Sequence, residues 1–335
     1  MSRCVVLMFL FFSSLFSADE QFYGRWDIKV LGTPPTRSWW LEVTRDRDGS
    51  PKGRFVGSGT GALDDTPDLA IHDGELSFSF ERSARTFYNI LPRDAPHNVT
   101  LGNEPHLVRG LYRARVVDGR LKGTFTIAGQ TSPLAEFIGV RAPTLPDKDD
   151  GSWHEGQPIS VFNSKDLSGW VPLIPGRNGG WMVKDGVLTN MAHSYDLVSK
   201  RTFTNFKLHA EYRVGPDSNS GIKLRGRYEV QVLGDYGKPP SKLGNGALYS
   251  RIVPSVNASK PAGEWQTFDI RLVGRQVTIV LNGTTIIDKG EIEGLTASWT
   301  PVGTNPYEVG PGPIVLQGDH GVVEFRRIVV TPLVR

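Results

Sequence analysis

Five short turn signals recur along the 335-residue chain and restrict its fold more strongly than any other feature. Each is an Asp-Gly or Asn-Gly pair, which accepts the positive φ angles that a tight β-hairpin requires at both central positions. The pairs are Asp48-Gly49, Asp73-Gly74, Asp118-Gly119, Asp185-Gly186 and Asn282-Gly283. Runs in which apolar and polar residues alternate flank these pairs, and such runs are typical of antiparallel strands. We therefore predict an all-β protein without an amphipathic helix of useful length.

A stretch rich in proline and charge, residues 142–157, separates two β regions and is typical of a linker. The N-terminal region, residues 20–141, opens with a Gly24-Arg25-Trp26 triplet and continues as a series of hairpin-like runs. This pattern resembles small up-and-down β-barrels of the calycin class, such as lipocalins and avidins. We expect a structural or adhesive accessory domain there, since fold alone does not imply a function.

Residues 1–18 have the pattern of a secretory signal peptide, with a positive start, an apolar run and small residues before an acidic pair. The apolar run is shorter than the roughly 20 residues that span a bilayer as a helix. Phe16 does not suit a cut after Ala18, so a retained N-terminal anchor stays open as an alternative. Cleavage would remove Cys4, the single cysteine, and would exclude disulfides and zinc–thiolate sites. We expect an extracytoplasmic protein, periplasmic or secreted.

The charge pattern gives little support to a nucleic-acid partner, because the net charge is only +3 and the basic residues are scattered. We expect no membrane contact beyond the export signal. The seven histidines are dispersed and form no zinc-binding motif, so we predict no metal and no other cofactor. An oxygen-ligated Ca²⁺ site stays open, because its ligands can be remote in sequence.

The C-terminal region, residues 158–335, carries a series of ordered sequence blocks. The blocks are residues 159–170, 181–188, 206–213, 219–222, 228–233, 246–249, 254–265, 312–314, 316–317 and 320–321. In this order they resemble the 3-keto-disaccharide hydrolase family. The resemblance implies a concanavalin A-like jelly-roll sandwich, a glycan or disaccharide substrate, and cleavage of glycosidic bonds next to a ketone at C3.

Strand alternation predicts which polar side chains share a face. In residues 228–233, Glu229 and Gln231 share one strand face, and three apolar residues share the opposite face. The two polar residues are then roughly 6–7 Å apart along the strand. By the same pattern Glu211, Lys223 and Arg225 also lie opposite apolar neighbours. If these strands are adjacent, all five side chains meet on one open, concave face. The alternative is a solvated face on which the charges form cross-strand pairs.

Carbohydrate chemistry of the implied kind needs a base, an acid and hydrogen-bonding groups. We predict Glu229, His320 and Glu211 as catalytic residues, with Asp319 orienting His320. The predicted substrate-binding residues are Gln231, Arg225, Asn219, Lys223, Tyr249, Gln317 and Trp265. Arg225 and Gln231 would stabilise an enolate oxygen, and Tyr249 and Trp265 would stack on a sugar ring.

Two other functions remain open for the same region. A conventional glycosidase would use Glu211 and Glu229 as its paired carboxylates and would cleave unoxidised glycosides. A lectin-like module would bind glycans without turnover.

Overall fold

The computed structural model describes residues 19–58, 60–88, 91, 107–177, 179–296 and 299–335. The expected leader lies outside these residues. The described part contains 24 strands, one short α-helix, α1 (Ala84–Tyr88), and one 3₁₀ turn (Glu20–Phe22). The all-β prediction is confirmed. None of the helices in the described ranges has the length and hydropathy needed to cross a membrane.

The first nine strands form one antiparallel sheet that curls into a barrel. In the sheet they follow the order β4-β3-β2-β1-β9-β8-β7-β6-β5, which is an up-and-down arrangement. The two ends of this order approach each other, since β3 contacts β5 and β4 contacts β6. The strands are β1 (Gly24–Val30), β2 (Thr36–Arg45), β3 (Pro51–Val56), β4 (Asp64–Thr66), β5 (Ala70–His72), β6 (Glu75–Ser83), β7 (Leu107–Val117), β8 (Arg120–Ile127) and β9 (Ala135–Arg141).

Aromatic side chains fill the interior of the barrel. The Tyr112 ring packs on Trp39, Phe55 and Phe78 at centroid distances of 5.6, 5.0 and 4.8 Å. Its buried hydroxyl donates a hydrogen bond to the Gly57 carbonyl oxygen at 2.9 Å. These rings alternate with outward-facing residues along their strands, as the sequence pattern predicts. The barrel interior is therefore a packed core.

The remaining strands, apart from the short strand Trp299–Thr300, form a two-sheet sandwich around a second apolar core. In chain order all the remaining strands are β10 (His154–Glu155), β11 (Ile159–Ser160), β12 (Trp170–Pro172), β13 (Trp181–Lys184), β14 (Val187–Asn190), β15 (Leu197–Phe203), β16 (Phe206–Val214), β17 (Asn219–Leu224), β18 (Tyr228–Leu233), β19 (Gln266–Val273), β20 (Gln276–Leu281), β21 (Thr284–Glu291), β22 (Trp299–Thr300), β23 (Gly312–Leu316) and β24 (Val323–Val334).

The sandwich has a larger and a smaller sheet. The larger sheet has the order β13-β14-β24-β16-β19-β20-β21, and β10 and β11 also pair with β24. The smaller sheet has the order β12-β15-β23-β17-β18. Two packed antiparallel sheets with such long crossovers form the jelly-roll architecture. This part of the predicted fold is confirmed as well.

The turn signals adopt the backbone conformation that the sequence predicts at four of five sites. Both φ angles are positive at the pairs that begin with Asp73, Asp118, Asp185 and Asn282. These pairs connect β5 to β6, β7 to β8, β13 to β14 and β20 to β21. At the fifth site only Gly49 has a positive φ, 86°, because the connection from β2 to β3 is longer.

The barrel docks on the sandwich through a continuous backbone ladder. Strand β22, which belongs to the sandwich half of the chain, pairs with the start of β2. Trp40 and Leu295 pack together beside this ladder as part of a small apolar cluster. Gly294 has a φ of +69°, and a Cβ atom there would lie 2.5 Å from the Trp40 ring. Glycine is thus required for this close approach.

A carboxyl pair is buried in the same interface. The Glu308 backbone N–H donates a hydrogen bond to Asp27 Oδ2 at 2.6 Å. The Glu308 carboxylate binds Arg275 at 2.6 Å and the Tyr228 hydroxyl at 2.8 Å. Burial, and then the negative charge of Glu308, raise the pKa of Asp27 to about 8. Asp27 is therefore mainly neutral at pH 7.

The raised pKa of Asp27 predicts a pH-dependent stability. The folded protein holds this proton up to about pH 8, whereas the unfolded chain loses it near pH 4. The free energy of unfolding should therefore fall as the pH rises across this window. Asp27→Asn should lack this contribution. The melting temperature of the variant minus that of the wild type should therefore be higher at pH 8 than at pH 5 by a few degrees. For the control Asp118→Asn, at an exposed turn, the difference in melting temperature from the wild type should be the same at both pH values. The same constancy for Asp27→Asn would contradict the prediction.

Candidate functional site

A polar cavity of about 300 Å³ opens on the smaller sheet of the sandwich, where the barrel meets it. Its volume is at the lower end of the range for small-molecule sites. Seven of the ten predicted site residues line it: Glu229, Gln231, Lys223, Asn219, Gln317, Tyr249 and His320. The other lining residues are Arg37, Thr60, Gly61, Asp196, Thr296, Trp299 and Asp319.

The floor of the cavity is the antiparallel pair β17–β18. In its register Lys223 lies opposite Glu229, and Gly221 lies opposite Gln231. The alternate residues of β18, such as Val230, are fully buried in the sandwich core. Strand alternation therefore brings these polar side chains to the face that the sequence pattern predicts.

Lys223 forms a buried ion pair at the floor. Its Nζ lies 2.7 Å from Asp196 Oδ2, and both side chains are only 6% exposed. Asp196 Oδ1 also accepts a hydrogen bond from the Gly318 backbone N–H at 3.1 Å. Burial by itself would lower the pKa of Lys223, but the charge of Asp196 and then of Glu229 outweigh it and raise the pKa. Lys223 is therefore a fixed cation at neutral pH.

Glu229 is buried beside this pair but has no cation of its own. Within the described residues no hydrogen-bond donor or ion-pair partner reaches its carboxylate, whereas its backbone N–H donates to Thr296 Oγ1 at 2.6 Å. Burial raises the pKa of Glu229 to about 7, and the nearby Lys223 charge only partly opposes this effect. A carboxyl group with such a pKa can both accept and release a proton near neutral pH.

Gly221 provides the space that the Glu229 carboxylate occupies. A Cβ atom at Gly221 would lie 2.6 Å from Glu229 Oε1 and 2.9 Å from its Cγ. The side chain can therefore lie flat across the neighbouring strand only because residue 221 has no side chain.

His320 stands at the mouth of the cavity and is held by the carboxylate before it. Its Nδ1 lies 2.7 Å from Asp319 Oδ1, and its side chain is 47% exposed. The hydrogen bond that His320 donates to Asp319 raises the pKa of His320, although partial burial opposes this effect. This arrangement fixes the ring and leaves Nε2 to hold or donate a proton.

Two amide groups offer acceptors that are not used within the protein. Gln231 Nε2 donates to Asn219 Oδ1 at 3.1 Å. Gln231 Oε1 and Gln317 Oε1 are buried and have no hydrogen-bond partner in the part of the chain that the structure describes. Buried acceptors without partners are costly, so these atoms suit hydroxyl donors of a bound molecule.

Two predicted site residues lie outside the cavity, Glu211 on the larger sheet and Trp265 in the loop just before β19, so their placement at the site is wrong. Glu211 is on β16, where it binds Arg326 at 2.5 Å. Trp265 lies beside the same arginine, whose guanidinium is 4.5 Å from the ring centroid. The alternation pattern finds the face of a strand but not the sheet to which the strand belongs.

Arg225 also lies outside the cavity, and its predicted place beside Lys223 is wrong. Its φ of 54° belongs to the tight turn between β17 and β18, where strand alternation ends. The side chain turns away and donates a hydrogen bond to the Gly274 carbonyl oxygen. Its guanidinium lies 5.1 Å from the Tyr228 ring centroid.

Sequence reasoning missed Arg37, Asp196 and Trp299. Asp196 lies just before β15, within a stretch without a clear strand pattern, and only its pairing with Lys223 marks it. Arg37 lies in the half of the chain assigned to an accessory role. The described ranges contain no group of three or more acidic, histidine or cysteine side chains arranged for a metal ion.

The comparison with curated proteins gives no match. Among solved structures, a candidate glycosyl hydrolase from Parabacteroides distasonis is 29% identical, with a TM-score of 0.46, and the match covers 57% of this chain and 93% of that chain. A second candidate glycosyl hydrolase from the same organism is 23% identical, with a TM-score of 0.43, and the match covers 53% and 94%. A carbohydrate-binding module from Bacillus subtilis is 13% identical, with a TM-score of 0.33, and the match covers 48% and 94%.

A protein-family model matches the part of the chain that forms the sandwich and most of the cavity. The matched residues, 157–331, contain every cavity residue of the sandwich and none of the barrel. The model describes the 3-keto-alpha-glucoside-1,2-lyase-like domain and spans more than half of the 335 residues, so this chain belongs to that carbohydrate-active, glycosyl-hydrolase-like family.

Proposed function

We propose that the protein cleaves the glycosidic bond of 3-keto-glycosides, by elimination followed by addition of water. The observation that carries the proposal is Glu229, a buried carboxyl group without a partner and with a pKa of about 7, on the floor of a polar cavity. Such a group is suited to remove a proton from carbon at neutral pH. A ketone at C3 makes the C2 proton acidic enough to be removed, because the carbanion is an enolate.

The first step transfers the C2 proton to Glu229. The C2–H electron pair forms the C2–C3 double bond, and the ketone oxygen takes the negative charge of the enolate. The enolate then collapses, a double bond forms between C1 and C2, and the C1–O bond breaks. His320 donates a proton to the departing oxygen, since Asp319 favours its protonated state.

The second step reverses the same proton transfers. Water adds to C1 and gives a proton to His320, while Glu229 returns its proton to C2. The net reaction is hydrolysis without any external oxidant or reductant. Gln231 and Gln317 would accept hydrogen bonds from sugar hydroxyl groups through their free Oε1 atoms.

The conventional glycosidase is the weaker alternative. That mechanism needs Glu211 as its second carboxylate, but Glu211 lies on the larger sheet and binds Arg326. Asp196, another carboxylate of the cavity, is held by Lys223. A lectin-like function needs no catalytic groups and would leave Glu229 without a role.

The first prediction from this function is selective turnover. The protein should cleave a 3-keto-disaccharide and leave the unoxidised parent sugar intact, as followed by mass spectrometry of the products. Cleavage of both sugars would indicate a conventional glycosidase. Binding of either sugar by titration calorimetry without any cleavage would indicate a lectin-like module.

The pKa of Glu229 predicts the pH dependence of that activity. A base must be ionised, so kcat/KM should fall as the pH drops below about 7. Glu229→Gln should lower kcat/KM by roughly 10²–10⁴-fold, and the residual activity should lack this acid limb. A Glu211→Gln control removes a carboxylate of the other sheet and should keep the wild-type profile. Full turnover by Glu229→Gln would rule out the assignment.

The space above Gly221 gives a second test. In Gly221→Ala the new methyl group should displace the Glu229 carboxylate, and kcat/KM should fall on the order of 10²-fold. The melting temperature should change little, because the flexible carboxylate can move aside. Gly215→Ala is the matched control, since a Cβ atom there meets nothing within 4 Å. Equal activities of the two variants would contradict the placement of Glu229.

A further inference from the structure

One wall of the cavity comes from the barrel and not from the sandwich. Arg37 on β2 lines the cavity, together with Thr60 and Gly61 of the connection between β3 and β4. The ladder between β2 and β22 places Arg37 directly opposite Trp299, another cavity residue. The backbone pairing that docks the barrel therefore also places the arginine.

The Arg37 guanidinium is oriented so that the N–H groups at its edge can donate hydrogen bonds. It stacks on Trp299 with 3.3 Å between its Cζ atom and the ring centroid. Stacking occupies the flat face of a guanidinium and leaves the N–H groups at its edge to donate hydrogen bonds. The Arg37 side chain is buried, with the residue only 5% exposed, and no described residue forms a hydrogen bond with its Nε.

Among the described residues, two charged side chains of the cavity have no ion-pair partner of opposite charge. Asp196 is paired with Lys223, and Asp319 with His320. Across the residues that the structure describes, Arg37 and Glu229 take part in no ion pair. Burial lowers the pKa of Arg37 to about 9, so the side chain is still a cation at neutral pH.

Docking of the barrel does not account for this arginine. Arg54 is the contrasting case, since it lies on the neighbouring strand β3 and binds Glu293 across the interface at 2.7 Å. An arginine that only joins the two domains would be expected to have such a carboxylate. A buried guanidinium without one is costly unless a ligand supplies the negative charge.

We propose that the barrel completes the catalytic pocket, and that Arg37 is a catalytic residue whose guanidinium binds the ketone oxygen and stabilises the enolate. The inference rests on the proposed function. When Glu229 takes the C2 proton, its negative charge is neutralised and one negative charge appears on the ketone oxygen. Among the described cavity residues Arg37 is the cation without an ion-pair partner that can balance this charge, and a preformed donor in a site with little water is effective in that role.

The test compares Arg37→Ala and Arg37→Lys with the wild-type, full-length protein on a 3-keto-disaccharide. Arg37→Ala should lower kcat by roughly 10²–10³-fold, as loss of an oxyanion donor does, with little change in KM. Arg37→Lys keeps the charge and should retain more activity. Guanidinium ion at millimolar concentration should partly restore Arg37→Ala.

Arg54→Ala is the control for domain docking, because it removes an interface ion pair and does not touch the cavity. It should lower the melting temperature and leave kcat unchanged. An unchanged kcat in Arg37→Ala, or a kcat loss in Arg54→Ala of the same size, would overturn the role of Arg37. A raised KM with unchanged kcat would also overturn it and would indicate that Arg37 binds a permanently charged substituent.

The outcome for the wild type separates the two proposals. Wild-type turnover together with active Arg37 variants would reject this inference alone. Absence of turnover by the wild type would reject the proposed function, and this inference with it.

Discussion

The pairing of β2 with β22 is the contact on which the candidate site depends. It joins a strand of the barrel to a short segment of the sandwich and fixes the distance between the two halves. Arg37, which belongs to this pairing, lines the same cavity as Glu229. Exclusion of water strengthens every charge interaction inside the cavity and raises the pKa of an unpaired carboxyl group. The contact between the barrel and the sandwich thus forms part of the surroundings of Glu229.

The cavity combines satisfied charges with groups that have no partner. Lys223 and Asp196 offset their burial through a short ion pair, and the more exposed His320 and Asp319 also pair with each other. Within the described residues Glu229 and Arg37 have no ion-pair partner, and the amide oxygens of Gln231 and Gln317 accept no hydrogen bond. Groups of this second kind reduce stability, and proteins accumulate them mainly where a ligand completes the arrangement. The interface shows the same contrast. Glu308 is paired with the Arg275 cation and the Tyr228 hydroxyl group, whereas Asp27 has no ion-pair partner among the described residues and keeps its proton at neutral pH.

Local patterns predicted much of the fold and part of the site. Asp-Gly and Asn-Gly pairs gave the hairpins, because two consecutive positive φ angles are accessible to few residue pairs. Alternation along β18 predicted that Glu229 and Gln231 face the same way, opposite the core. The same rule failed for Glu211, since alternation does not indicate which sheet a strand joins. It failed for Arg225 as well, because a turn with positive φ interrupts the alternation.

The sequence by itself determined the strands, their turns, the faces of their side chains and the family of the C-terminal half. These properties depend on neighbouring residues and on a few short blocks, so they can be read from the order of the chain. Only the tertiary structure brought Arg37 into a cavity with Glu229, across almost two hundred residues of sequence. It also decided the pKa of Glu229, because desolvation depends on what covers a residue. No local pattern encodes the burial of Glu229, because residues of both the sandwich and the barrel line the cavity around it.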